Sequence, residues 1–90
     1  MEKFFVIYLV EDYIPSVPYL YGFRTAEKAY EEVCKYLKRD LKREGDYYIE
    51  QYNESLNELN HSYEQYKNNP KAHFFHSSGY YVQEVFIEER

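Results

Sequence analysis

Residues 4–10 read Phe-Phe-Val-Ile-Tyr-Leu-Val, and this uninterrupted apolar stretch decides the fold class. β-Branched and aromatic residues without helical spacing are typical of a β-strand. Successive side chains of a strand point to opposite faces of its sheet, so both faces of this strand are apolar and both require cover. A short second strand is predicted at residues 19–23, after a loop at residues 11–18 in which Pro15 and Pro18 disfavour ladder pairing.

Two amphipathic helices are predicted in the middle of the chain. Thr25 is a suitable N-cap for the first helix, whose apolar residues recur at three- and four-residue spacing as far as Leu41, and Gly45 ends it. Asp46 is a suitable cap for the second helix. The short link between the helices predicts an antiparallel hairpin. The apolar seam of the second helix consists of Ile49, Tyr52, Leu56, Leu59, Tyr63 and Tyr66.

The chain closes with a strand predicted at residues 80–87, and an additional short strand at residues 72–75 is left open. The sequence therefore predicts an α+β fold of order ββααβ, in which a small antiparallel or mixed sheet of three to four strands packs with the helix hairpin. With 90 residues, the chain has the size of a single domain covering 1–90. The pattern leaves open whether the helices lie on one face of the sheet or on both.

The composition excludes several classes of protein. Tyrosine dominates the apolar content, with 13 Tyr, 6 Phe and no Trp, and the net charge is -5. The single Cys34 cannot form an intramolecular disulfide, and the first apolar stretch is too short to cross a bilayer. We therefore expect a cytoplasmic protein without membrane contact, rather than a disulfide-stapled, multidomain or membrane-spanning one.

Residues that carry chemistry form no recognisable catalytic or metal-binding pattern. His73 and His76 are one loose pair, whereas a structural zinc site normally uses two pairs, so no metal is predicted. A hydroxyl at Ser77 next to an imidazole does not make a nucleophile–base pair, and the three glycines form no phosphate-binding loop. We expect a protein without enzymatic activity or cofactor. A pocket that joins both histidines with a carboxylate would revive the enzyme hypothesis.

A basic cluster at the end of the first helix offers an alternative function in nucleic-acid binding. The second helix carries five acids between Asp46 and Glu64, which in an antiparallel hairpin run back alongside these bases. Charge pairing within the hairpin is the favoured interpretation, because an acidic chain repels phosphates. The cluster consists of Lys35, Lys38, Arg39, Lys42 and Arg43.

The tyrosines are too numerous for one small core to enclose, and Tyr is enriched where proteins bind proteins. The alternative is that their hydroxyls only reach solvent at the edge of the core. The seam of the second helix suits a partner helix, and an uncovered sheet face would also mark a binding surface. Both routes predict a homodimer. The predicted protein-binding residues are Tyr52, Leu59, Tyr63 and Tyr66.

Residues 21–29 (Tyr-Gly-Phe-Arg-Thr-Ala-Glu-Lys-Ala) and 80–88 (Tyr-Tyr-Val-Gln-Glu-Val-Phe-Ile-Glu) together resemble a class of small bacterial and phage proteins of unknown function. In that class a strand pair leads into a helix opened by Ser/Thr-x-Glu-Lys-Ala, and a similar strand closes the sheet. The second helix departs from the class as an insertion. The resemblance implies a phage or mobile-element origin and carries over no functional residue. The expected function is a small protein-binding or regulatory module acting on a host protein.

Overall fold

The computed structural model describes residues 2–11 and 14–87 and confirms the α+β class. Residues 12 and 13 of the predicted loop and residue 88 of the closing motif lie outside this part. The elements are β1 (Glu2–Glu11), β2 (Ile14–Phe23), α1 (Ala26–Glu44), a 3₁₀ turn (Asp46–Tyr48), α2 (Ile49–Asn68), β3 (Phe74–His76) and β4 (Tyr80–Ile87).

The four strands form one antiparallel sheet in the order β2-β1-β4-β3. The two central strands, β1 and β4, pair without interruption from Glu2 opposite Ile87 to Leu9 opposite Tyr80. The additional strand that the sequence left open exists as β3 and forms one edge. β1 lies in the centre of the sheet with a paired strand on each side, and this position accounts for its long apolar run.

The predicted loop at residues 11–18 is wrong, because β2 already begins at Ile14. Pro15 lies opposite Val10 and Pro18 lies opposite Tyr8, with irregular register between these positions. Proline is tolerated here because β2 is an edge strand, on which one row of backbone groups has no ladder partner. The sequence identifies the prolines but not the position of their strand at the edge.

Local sequence signals set both ends of α1. The Thr25 hydroxyl accepts a hydrogen bond of 3.1 Å from the Lys28 N–H, as the N-cap assignment predicts. Gly45 ends the helix with φ of 92°, a left-handed conformation that glycine adopts without a steric penalty. Between these ends, α1 buries Ala29 and Leu37 against the sheet.

The predicted cap of the second helix at Asp46 is wrong. Asp46 opens the 3₁₀ turn, which is closed by a 3.0 Å hydrogen bond from the Tyr48 N–H to the Gly45 carbonyl. α2 then begins at Ile49, with Tyr48 as an N-cap that makes no side-chain hydrogen bond. The extra turn redirects the chain after Gly45 and so moves the cap position two residues onward.

Both helices pack on the same face of the sheet, which answers the question that the sequence left open. The Phe5 ring of β1 lies 6.2 Å from the Tyr66 ring of α2, and the Tyr80 ring of β4 lies 5.5 Å from the Tyr36 ring of α1. The opposite face of the same strands is therefore outside the helix layer. The core between sheet and helices consists of Phe5, Ile7, Ala29, Val33, Leu37, Leu59, Phe75, Tyr80 and Val82.

Candidate protein-binding surface

The sheet face that points away from the helices is the candidate surface, and we call it the open face. Residues directly opposite each other in antiparallel strands share a face, and residues two apart on one strand do so as well. The pairs Val6–Gln83 and Tyr8–Tyr81 therefore lie on the open face, since their neighbours in sequence point into the core. Among the described side chains of β1, β3 and β4, the open face consists of Glu2, Phe4, Val6, Tyr8, Val10, Phe74, His76, Tyr81, Gln83, Val85 and Ile87.

An aromatic cluster occupies the part of the open face next to β3. The rings of Phe74 and Tyr81 are stacked with centroids 5.0 Å apart, and the Tyr8 ring meets Tyr81 edge-on at 6.5 Å. The Tyr81 hydroxyl donates a 3.1 Å hydrogen bond to Gln83, and burial raises the pKa of Tyr81 above its usual range. Phe74 is nevertheless 46% exposed. The cluster thus exposes the apolar ring of Phe74, which is held in place by its contact with Tyr81.

The open face is electrically almost neutral. Among its described residues the only carboxylate is that of Glu2, at the far end of β1 opposite Ile87, and the part around Phe74, Tyr81 and Tyr8 contains no Lys, Arg, Asp or Glu. The His76 Nδ1 atom lies 2.9 Å from the Glu58 carboxylate of α2, so a proton there would be compensated by charge. The aromatic part of the open face can lose water without leaving an unpaired charge behind. It offers nothing that would attract a phosphate backbone.

A groove beside the sheet contains both histidines that the sequence analysis singled out. It has a volume of about 730 Å³ and runs between the C-terminal half of α2 and the edge strand β3. His73 and His76 both line it, yet each is bound to its own carboxylate outside the lining. The Nδ1 of His73 lies 3.0 Å from Glu84, and that of His76 lies 2.9 Å from Glu58.

The serines next to His76 do not complete a nucleophile. The Ser78 hydroxyl donates a 2.9 Å hydrogen bond to Glu58, the same carboxylate that holds His76, and so it does not donate to the imidazole. The Ser77 hydroxyl is buried and makes no hydrogen bond within the described residues. In residues 2–11 and 14–87 no three His, Cys, Asp or Glu side chains are grouped to hold a metal ion.

Glu84 is the charged residue at the centre of a hydrogen-bond network at the edge of the core. Its side chain is 7% exposed and accepts hydrogen bonds from the Tyr66 hydroxyl and from His73, while the Lys3 ammonium lies 3.6 Å away. Burial alone would raise the pKa of Glu84, but these hydrogen bonds and nearby cations outweigh burial and lower it. The network fixes the end of α2 to β4.

The residues predicted to bind a protein on α2 pack within this chain. Leu59 has an exposed fraction of 0% and belongs to the core. The Tyr63 ring stacks on Tyr30 of α1 at 4.5 Å, with the Tyr66 ring 6.4 Å away, and Tyr52 is partly buried against the core. The seam therefore joins α2 to α1 and the sheet, and its part in a partner contact stays a prediction.

The α1–α2 packing also places tyrosine hydroxyls in polar contacts. Tyr30 donates a hydrogen bond to Asn60 of α2, and burial raises the pKa of Tyr30 to about 12. These contacts support the simpler alternative for part of the tyrosine excess, in which the hydroxyls are satisfied at the core edge.

The ion pairs that the basic cluster makes with described residues lie on its own helix, in contrast to the predicted pairing across the hairpin. Lys35 pairs with Glu32 at 3.7 Å, and Arg43 pairs with Asp40 at 3.4 Å and with Glu44 at 3.5 Å. Acids three residues away on a helix are closer neighbours than acids on an adjoining helix. The charged residues of the cluster were identified correctly from the sequence, but their ion-pair partners were not.

Within the same cluster, Arg39 serves packing as well as charge. Its guanidinium lies 5.0 Å from the centre of the Tyr36 ring and 3.4 Å from the Tyr80 hydroxyl, which donates to Asp40 at 2.7 Å. Lys38 and Lys42 point to solvent. The structure therefore places the five bases along one exposed side of α1, in the layer opposite the open face.

The sequence reasoning did not single out Phe74, Tyr81 or Tyr8 as surface residues. A signal was present, because β1 is apolar on both faces while a helix hairpin ordinarily covers one face. This signal identifies the residues of the uncovered face only when the strand order is known. That order places β3 beside β4 and brings Phe74 onto Tyr81. Strand order depends on contacts between residues far apart in the chain, and local patterns do not encode it.

Comparison with known proteins finds no matching family model, and no curated protein or solved structure is similar to this chain. The resemblance to small bacterial and phage proteins therefore stays a prediction. Fold and surface define the class: a two-layer α+β protein whose sheet has helices on one face and an aromatic cluster on the opposite face. No helix among the described residues has the length and apolar character needed to span a bilayer.

Proposed function

We propose that the protein is a non-enzymatic protein-binding module and that the open face is its contact surface. The observation that carries the proposal is Phe74, which is about half exposed and stacks on the Tyr81 ring, in a part of the open face without Lys, Arg, Asp or Glu. Apolar patches of this kind on a small protein mark interaction sites. Exposed aromatic side chains on an ordered base are also the residue type that contributes most to binding energy.

The proposed partner at this surface is a second copy of the chain. Two copies can bring the aromatic parts of their open faces together although each carries a net charge of -5, because these parts contain no acidic side chain. The strands are about 4.8 Å apart and rise about 3.3 Å per residue over the 8 residues of β4, so the face covers roughly 400 Å². Two such faces approach the ~1,000 Å² at which specific interfaces begin. Interfaces at this small end of the size range are typical of weak association, so we expect the homodimer to dissociate in the micromolar range.

The test is light scattering coupled to size-exclusion chromatography over a concentration series. Phe74→Glu places a charge within the proposed contact and should raise the dissociation constant at least about tenfold, since an unpaired charge must be desolvated. Phe86→Glu is the matched control. Phe86 is equally exposed, at 50%, but points to the other face of the sheet, so this variant should dimerise like the parent chain.

A monomer at every concentration would contradict the homodimer, and an equal effect of both variants would place the contact elsewhere. Action on a host protein in the cytoplasm, as a factor of phage or mobile-element origin, belongs to the same proposal. If labelled single-stranded or duplex DNA bound in a salt-dependent manner and lost binding in Lys38→Glu, the alternative function through the basic cluster would replace it.

A further inference from the structure

We infer that the groove between α2 and β3 is a second binding site, which takes an extended acidic peptide segment of a partner protein as an added strand. The groove adjoins the open face and shares Phe74 and His76 with it, but the inference does not depend on the homodimer. It combines a free stretch of sheet edge with the charge and the hydrogen-bonding side chains of the groove.

The backbone at the edge of β3 points into the groove. The Glu84 N–H donates to the His73 carbonyl and the Ser77 N–H to the Tyr80 carbonyl, both at 2.8 Å. Because bonded and non-bonded pairs alternate along an antiparallel ladder, the backbone groups of Phe74 and His76 point away from β4. Since β3 is the last strand, they point outward.

One half of this edge is occupied from within the chain, and no hydrogen bond between described residues occupies the other half. The His76 N–H donates a 3.0 Å hydrogen bond to the Ser62 hydroxyl of α2, which occupies the half of the edge at His76. Phe74 lies at the other half of the edge and lines the groove. Its N–H and carbonyl are in position to pair with an incoming strand, the usual mode in which an extended peptide extends a sheet.

The side chains of the groove suit the backbone of a peptide. Gln65, Asn68 and Asn69 line its α2 side, and their amides can both donate to and accept from peptide groups. The Asn69 side chain already accepts a 3.0 Å hydrogen bond from the Lys71 backbone, which holds this wall in place. An added strand would therefore find partners on both of its edges.

The charge of the groove selects an acidic segment. Lys71, His73 and His76 line the groove, and the described lining residues include no Asp or Glu, although the chain as a whole is acidic. The two imidazoles lie against Glu84 and Glu58, whereas Lys71 makes no ion pair within the part of the chain that the structure describes. An acidic peptide side chain next to Lys71 gains attraction, whereas a basic one is repelled.

Fluorescence anisotropy with the labelled peptide EVTVTVE tests the site. Phe74→Pro removes the outward N–H but preserves the β3–β4 ladder, because that N–H makes no bond to β4 and proline is tolerated at the first residue of a strand. It should weaken binding about tenfold, whereas Phe74→Ala, which keeps the N–H, should weaken it less than about threefold. The basic peptide KVTVTVK should bind about two- to fivefold more weakly, and Lys71→Glu should remove that preference.

A version of EVTVTVE methylated on alternate backbone nitrogens provides a measurement on the unaltered protein, and it should bind at least about fivefold more weakly. Equal binding of the methylated peptide, equal losses in Phe74→Pro and Phe74→Ala, or no binding of EVTVTVE at millimolar concentration would each overturn the inference. If Phe74→Ala alone abolished binding, the peptide would be occupying the open face instead.

Discussion

At the scale of single residues, the acid dependence of stability should centre on Glu84. Its pKa is lowered in the folded chain below the ordinary value of 4.5, by hydrogen bonds that outweigh burial. Ionised Glu84 therefore contributes stability that is present in full above pH 4.5 and is lost as the pH falls through the lowered value. Glu84→Gln should be less stable than the parent at pH 7, and the difference should shrink steadily towards pH 3.

Thermal melts at half-unit pH steps measure this difference. The control is Glu64→Gln, because Glu64 is an exposed acid on α2 whose contact is with Lys67. This control should shift the melting temperature little at any pH, since exposed pairs contribute about 0.2 to 1 kcal/mol. A gap between parent and Glu84→Gln that is constant from pH 7 to 3 would mean that the network stabilises by packing and not by charge.

At the scale of elements, the contribution of α2 depends on which seam residues reach the core. Leu59 is fully buried, whereas Ile49 in the first turn is half exposed. Leu59→Ala should lower the free energy of unfolding by about 2 to 5 kcal/mol, through lost transfer energy and the cavity left behind. Ile49→Ala, a change of similar size on the same seam, should cost less than about 1 kcal/mol because water already reaches the side chain.

Urea unfolding followed by circular dichroism gives both values from the transition midpoints. An unchanged midpoint for Leu59→Ala would mean that α2 is a loosely attached arm and that the seam is available to a partner, as the sequence-based prediction of Tyr52, Leu59, Tyr63 and Tyr66 requires. A large loss for Ile49→Ala would mean that the start of α2 is buried in an assembly.

The bounds and contacts of the helices and strands also show which features of the fold can be predicted from the sequence and which cannot. The ends of α1 were predictable because Thr25 and Gly45 act within one turn of the backbone. The start of β2 was missed because tolerance of Pro15 depends on the edge position of the strand. The ion pairs of Arg43 were misassigned for a related reason: the choice between neighbours on one helix and on the next depends on the rotation of both helices about their axes.

At the scale of the whole molecule, charge and apolar surface are separated into different layers. The ion pairs of Arg39, Arg43 and Lys35 lie on α1, on one side of the sheet, and the uncharged aromatic cluster around Phe74 and Tyr81 lies on the other side. Two modes of self-association follow from this arrangement. An open-face dimer buries neutral surface, whereas a helix-to-helix dimer would set the bases of α1 against the acids of α2.

Ionic strength separates these two modes. With the open faces in contact, two copies that each carry a net charge of -5 repel one another through their outer layers, and salt screens this repulsion. Raising NaCl from about 0.05 M to about 0.5 M shortens the Debye length roughly threefold and also favours apolar contact, so dimerisation should become modestly tighter. Sedimentation velocity at matched protein concentrations measures the change, with Phe86→Glu as a control that should follow the parent. A dimer that instead dissociates as salt rises would be held by ion pairs, and the contact would then lie on the helices.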